Sequence, residues 1–274
     1  MPFVMARLLW RARRAPAYAL RWGERLGFGP ALGPGRRVIW VHAVSVGETL
    51  AALPLVRALQ RRYPEARIVV TTMTPTGSAR VTAALGDSVH HVYAPYDLPG
   101  AVDRFLRRIH PDLLVIMETE LWPNILAGCR RRNIPVMLAN ARLSARSATG
   151  YRRLAPLTRG MLGQLAVVAA QTRDDGERFL ALGLPAERLA VTGKAVAVSA
   201  WTGEGIEPLR EVIAGLIDDD PETELVLDPS QGEALAWLYE NGRVTGRETD
   251  DKGRTHVTVR LHPAALGRFE RQFG

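Results

Sequence analysis

Three glutamates in two short motifs are the residues best suited to chemistry: Glu48 in "HAVSVGETLAALPLVRAL", and Glu118 and Glu120 in "IMETELWPN". In the first motif Ser45 can cap a helix, Gly47 lets the backbone turn sharply, and Glu48 opens the helix. The loop amides are then left for an anion or polar ligand. A carboxylate in that place serves as a general base if it points into a cleft. It equally complements the helix dipole if it does not, and spacing leaves both readings open. The helix N-terminus favours its ionised form, whereas burial against an apolar ligand raises its pKa toward useful basicity. In the second motif Glu118 and Glu120 alternate in direction if the preceding strand persists, so only one of them is expected to face the first loop. Carboxylates on two neighbouring loops perturb each other's titration. A glutamate that caps the helix beginning near Leu121 is the alternative.

Both motifs need a scaffold that brings loops together. β-rich runs at 38–44, 67–73, 90–94, 112–117, 135–140 and 166–171 alternate with helical patterns at 48–62, 75–84, 98–109, 121–132, 144–163 and 173–182. Continuous apolar strands separated by helices imply α/β architecture, a doubly wound parallel sheet covered on both faces. Ligands of such sheets bind at the carboxyl ends of the strands, where both glutamate motifs fall. After residue 195 the rhythm changes. "AVAVSA" reads as a strand, "IEPLREVIAGLI" as a helix and "DDDPE" as a break, and a β-α-β-β-α run with a "DDKG" hairpin turn follows. That run predicts a small α+β unit with an antiparallel pair.

Composition sets the outer limits. With 274 residues, 47% of them hydrophobic, the chain is not globally disordered. The single cysteine, Cys129, excludes a disulfide framework or a cysteine metal cluster and reads as an ordinary helix residue. No metal and no cofactor are expected. Residues 1–194 carry 28 Lys plus Arg against 13 Asp plus Glu, a net +15, whereas residues 195–274 carry 8 against 15, a net −7. Such asymmetry separates domains with different partners. The positive charge is nearly all arginine, the lysines being Lys194 and Lys252. Arginine's planar fork suits phosphate and carboxylate, although a GC-rich genome produces the same bias. Residues 1–28 are too interrupted to span a bilayer and carry no signal-peptide cleavage pattern. Their mixture of Met5, Leu8, Leu9, Leu20 and Trp22 with arginines up to Arg25 fits either a segment on an anionic membrane surface or a helix packed on the domain.

"WVHAVSVGE", "TTMTPTGSARV", "YAPYDLPGAVDRFLRRIHPDLLVIMETELWPN", "NARLSARS", "GYRRLAPL" and "VTGK" follow one another in the order and spacing of a known family. Over about residues 7–194 the chain resembles the bacterial transferases of 3-deoxy-D-manno-octulosonic acid (Kdo). The resemblance implies the N-terminal, Rossmann-like acceptor half of a two-domain GT-B glycosyltransferase. Such an enzyme moves Kdo from CMP-Kdo to the lipid A precursor lipid IVA at the cytoplasmic face of the inner membrane. It also implies that Glu48 is the general base, that Glu118 is a supporting acid, and that Ser45 and Gly47 belong to the acceptor loop. The partners implied are lipid IVA, CMP-Kdo and an anionic membrane surface, with no nucleic acid.

The resemblance stops at the end of "VTGK". The family's catalytic lysine falls by register at Val196, and Lys194 stands two residues early, a shift of about 6–7 Å along extended chain. From residue 195 the sequence resembles instead the C-terminal end of an HflX-type GTPase. It has neither a complete phosphate loop nor an Asn-Lys-x-Asp motif, so Thr202, Gly203 and Gly205 read as turn residues. The expected organisation is therefore a basic segment at 1–28, an acceptor domain at 29–194 and a foreign α+β tail at 195–274. Without a recognisable donor half, transfer is expected to be impaired or absent.

Overall fold

The computed structural model describes residues 20–33, 35–191, 206–217, 222–251, 253–261 and 263–273, and its contacts divide the chain into two compact units between Val212 and Ile213. The first unit is built on seven parallel strands: β1 (Val38–His42), β2 (Arg67–Thr72), β3 (His90–Tyr93), β4 (Leu113–Met117), β5 (Val136–Ala141), β6 (Val167–Ala170) and β7 (Leu189–Val191). Their order across the sheet is β3-β2-β1-β4-β5-β6-β7. All five residues of β1 and all five of β4 are buried, as expected of central strands covered on both faces. The chain reverses its winding between these two strands, which makes the crevice above their carboxyl ends the natural ligand site.

The crossovers are α2 (Val46–Arg62), α3 (Pro75–Leu85), α4 (Pro99–Ile109), α5 (Pro123–Arg130), α6 (Ala145–Arg153), α7 (Ala155–Leu162) and α8 (Arg173–Ala181), after a short α1 (Trp22–Arg25). Four begin in the same way: the side chains of Ser45, Thr74, Ser144 and Thr172 accept the amide three residues on. Proline opens α3, α4 and α5, where its missing N–H costs nothing. Helix α4 buries Ala101, Val102, Phe105, Leu106 and Ile109 along one face. It packs closely on α5, where a Cβ at Gly128 would come within 2.9 Å of Leu106 Cδ1. The adjacent Cys129 is fully buried, and burial pushes its thiol pKa up to about 12, so it acts as a small apolar residue.

The helix predicted over 144–163 is two helices, broken at Leu154 (φ −114°, ψ 40°). Pro156 is the physical reason: it has no N–H to continue the ladder, and its ring would meet the carbonyl four residues back. Residues 20–28 bear on the two readings of the first segment. Arg25, counted among possible membrane-facing charges, is only 2% exposed. Its guanidinium lies 4.1 Å from the centre of the Tyr93 ring and donates to the Met73 carbonyl at 3.1 Å. Gly27, at φ +86°, lets this segment pass α4 so closely that a Cβ would fall 2.2 Å from the Ala101 carbonyl oxygen. Residues 1–19 lie outside the described residues.

Asp97 ties two loops of the carboxyl edge together. Its Oδ1 accepts the Ile125 amide at 2.8 Å and its Oδ2 the Asn124 amide at 3.1 Å, so a side chain after β3 caps α5 from outside. Asp97→Ala is expected to cost about 1–2 kcal/mol, read from the shift in the urea midpoint at unchanged slope.

In the second unit β8 (Glu222–Leu227), β10 (Thr255–Arg260) and β9 (Arg243–Thr249) form an antiparallel sheet in the order β8-β10-β9. The division between units falls inside α9 (Ile206–Ile217). Helices α10 (Gly232–Asn241) and α11 (Pro263–Phe273) follow, and Leu227, Leu238, Val257, Val259 and Phe269 make a core with Trp237 packed on it. The predicted hairpin turn is present: Gly253 has φ +79° and donates to the Asp250 carbonyl at 2.9 Å. The strand read in "AVAVSA" lies outside the described residues.

Candidate active site

The loop after β1 folds as a capping box, the pattern encoded by a serine followed three residues later by a glutamate. Ser45 Oγ accepts the Glu48 amide at 3.2 Å. The Glu48 carboxylate returns, Oε2 accepting the Val44 amide at 2.7 Å and Oε1 the Ser45 amide at 3.3 Å. Two sequence expectations are thereby corrected. These amides are occupied by Glu48 rather than left for a ligand. Gly47 has no left-handed φ; it lies in the first turn of α2 with little beyond it but Ser45 Oγ at 3.8 Å, so it opens the surface rather than making the turn. Glu48 itself is 5% exposed.

The loop after β4 does not continue the strand's alternation. β4 ends at Met117, and Glu118 takes a left-handed conformation (φ 59°) while its amide still donates to the Ala139 carbonyl at 2.9 Å. Such a conformation is costly for a residue with a Cβ, and non-glycine examples gather at functional sites. Both Glu118 and Glu120 feel the charge of Glu48. Burial first, then Glu48, pushes the Glu118 pKa above the usual carboxylate range, while the guanidinium of Arg142, 4.0 Å away, pulls it back. Burial also raises the pKa of Glu120, as do Glu48 and Glu118. The Trp122 indole opposes that rise by donating to Glu120 Oε2 at 2.8 Å. Half-buried Tyr151, at the end of α6, is pushed up by burial and by the charge of Glu120. Tyr151 and Trp122 both pack against the main core.

Under these loops lies His42, the last residue of β1. Its ring is fully buried, edge-on to Trp122 with centroids 5.0 Å apart, and Nδ1 is 2.8 Å from Thr71 Oγ1. That hydroxyl also accepts the Trp40 indole N–H at 2.8 Å. Its Nε2 has no hydrogen-bond partner among the described residues. Burial lowers the imidazole pKa from 6.5 to about 4. Between those values the unfolded chain binds a proton that the folded chain refuses. His42 therefore makes stability fall as pH drops from 6.5 to about 4, by roughly 3 kcal/mol in all. The check is an NMR titration of the His42 Cε1–H resonance, expected to have its midpoint near 4; a midpoint near 6.5 would contradict the burial.

Sequence reasoning named Ser45, Gly47, Glu48, Glu118 and Glu120; the first three lie at the junction of the β1 loop with α2 and the last two on the loop after β4. Lys194 and Val196 lie outside the described residues. His42, Trp122 and Tyr151 were not singled out; their signal was membership of the quoted motifs, with no spacing to show that they meet. Among the described residues no group of His, Cys, Asp and Glu is arranged to hold a metal ion.

An open, doubly wound sheet with carboxylates at its switch point defines a Rossmann-like ligand-binding domain. Residues 20–196 match the family described as 3-deoxy-D-manno-octulosonic-acid transferase (kdotransferase), and the chain belongs to that family. It is 49% identical over 181 residues to the 3-deoxy-D-manno-octulosonic acid transferase of Haemophilus influenzae, covering 66% of this chain and 42% of the relative. It is 30% identical over 294 residues to the probable mitochondrial 3-deoxy-D-manno-octulosonic acid transferase of Arabidopsis thaliana, covering 91% of this chain and 66% of the relative. The chain thus spans less than two thirds of the length of these relatives. Among solved structures, the UDP-GlcNAc 2-epimerase of Neisseria meningitidis matches 66% of this chain and 52% of its own at 15% identity, with a TM-score of 0.45.

Residues 185–274 match the HflX C-terminal domain. The two findings on the tail differ, since the alignment with the plant relative also runs well past residue 196. The second unit's antiparallel three-stranded sheet does not continue the parallel α/β pattern of the first.

Proposed function

We propose that residues 29–194 are the acceptor half of a GT-B glycosyltransferase that moves Kdo from CMP-Kdo to lipid IVA at the cytoplasmic face of the inner membrane. Glu48 is the general base. When the acceptor half works with a donor half, Glu48 takes the proton of an acceptor hydroxyl as that oxygen attacks the anomeric carbon of Kdo, and the bond to the CMP phosphate oxygen breaks, CMP leaving with the bonding pair. The observation that carries this reading is the meeting of Glu48, Glu118 and Glu120 on the two loops at the switch point. The capping box does not oppose it. A carboxylate offers about four lone-pair sites, and two amide bonds leave room for the substrate hydroxyl. Glu118, with its raised pKa, suits the supporting acid.

The seam falls between Lys194 and Ala195, and the tail does not bind CMP-Kdo. The match of 185–274 to the HflX C-terminal domain supports this. The test is radiolabelled CMP-Kdo incubated with lipid IVA and the full chain. No label above the Glu48→Gln background is expected on the lipid, whereas turnover at an ordinary enzymatic rate would show that the tail serves as a donor half. The same match favours a second reading, ribosome association through the tail. Co-sedimentation with the large ribosomal subunit at low salt would support it, and its absence would remove it.

A further inference from the structure

From Leu121 to Arg173 the sequence contains no Asp or Glu and nine arginines. Within that run the corner between α6 and α7 turns an unusual surface outward. Helix α7 buries Thr158, Met161 and Leu162, the spacing of one helix face. Leu154 at the break and Leu157 beside the buried face are not used by the core and stand 60% and 52% exposed. Arg146, Arg152 and Arg153 are exposed around them, and none forms an ion pair among the described residues. The corner is held firmly: Thr158 Oγ1 donates to the Tyr151 carbonyl at 2.9 Å, and the Leu154 amide donates to the same carbonyl at 3.1 Å. It is continuous with the glutamate site through Tyr151, which packs with Trp122 on the core, and through Arg142, 4.0 Å from Glu118.

We propose that this corner docks on an anionic lipid bilayer, its arginines against the headgroups and Leu154 and Leu157 in the acyl boundary. Charge complementarity selects an anionic partner. The leucine pair, with no exposed aromatic ring for base stacking on α7, selects lipid over RNA. The surface is distinct from residues 1–28. The inference deepens the acceptor-half reading, because an acylated, phosphorylated acceptor would be met where it lies in the membrane, beside the carboxylates. Its test needs no turnover.

The experiment is flotation of the full chain with phosphatidylcholine vesicles, with and without an equimolar share of phosphatidylglycerol. The chain is expected to float with the mixed vesicles. Arg152→Gln with Arg153→Gln is expected to weaken partitioning about 25-fold, roughly fivefold per arginine. Leu154→Gln with Leu157→Gln is expected to weaken it about tenfold or more. Both pairs are exposed, so the thermal midpoint should not move and lost partitioning will not reflect unfolding. Wild-type partitioning by both double variants, including binding carried by residues 1–19, would overturn the proposal. So would failure of the unmutated chain to float, or binding to homopolymeric RNA in place of vesicles. Loss of lipid IVA recognition with vesicle binding intact would fail the acceptor reading alone.

Discussion

Glu48→Gln is expected to lower Kdo transfer about 10²–10⁴-fold in a chimera that joins residues 1–191 of this chain to the remaining part of the Haemophilus influenzae relative. The chimera separates the question of the base from the question of the tail, and the 49% identity of the matched halves makes the graft reasonable. Glutamine keeps one amide acceptor and loses the other, so the variant also loosens the capping box. Ser45→Ala is the control, since it removes the hydroxyl that accepts the Glu48 amide but leaves the carboxylate. It is expected to cost about 1 kcal/mol of stability and to retain most of the transfer. Equal losses in the two variants would mean that Glu48 acts only as a cap. Transfer undiminished by Glu48→Gln would remove the base from the mechanism.

Trp40→Ala is expected to be the most destabilising change, by about 3–5 kcal/mol in a urea titration. That is a large share of the roughly 5–15 kcal/mol that separates folded from unfolded domains. The ring is fully buried on the central strand, 4.9 Å from Phe105 between ring centres, and its indole N–H satisfies Thr71. Removing it leaves a cavity and also frees the hydroxyl that His42 uses. Trp40→Phe keeps most of the volume and is expected to lose less than half as much. Equal midpoints for Trp40→Ala and the unmutated chain would show that the core under the two loops does not support them.

The sheet was legible because its signal is local. "VIWVH" and "LLVIM" are apolar without alternation, and each is followed by a helix with its own cap, so strand, crossover and switch point follow from short windows. The break at Leu154 had a local signal in Pro156, yet the helical pattern over 144–163 reads as continuous because apolar periodicity alone does not register a proline. The left-handed Glu118 was not legible. Nothing in "METEL" distinguishes a strand that continues from one that stops, so the alternation assumed for Glu118 and Glu120 had no local signal against it. The capping box was encoded by Ser45 and Glu48, yet the pattern does not say whether the amides serve the protein or a ligand. Arg25 under Tyr93, Trp122 on His42 and Asp97 on α5 are contacts between distant motifs, set by tertiary packing alone.

An acceptor half of the kind proposed is expected to recognise the acceptor by itself. Equilibrium binding of lipid IVA to the full chain in the absence of CMP-Kdo tests it most directly. Saturable binding is expected, stronger than to the same lipid stripped of its phosphates. Binding no tighter than to the phosphate-free lipid, or none at all, would contradict it.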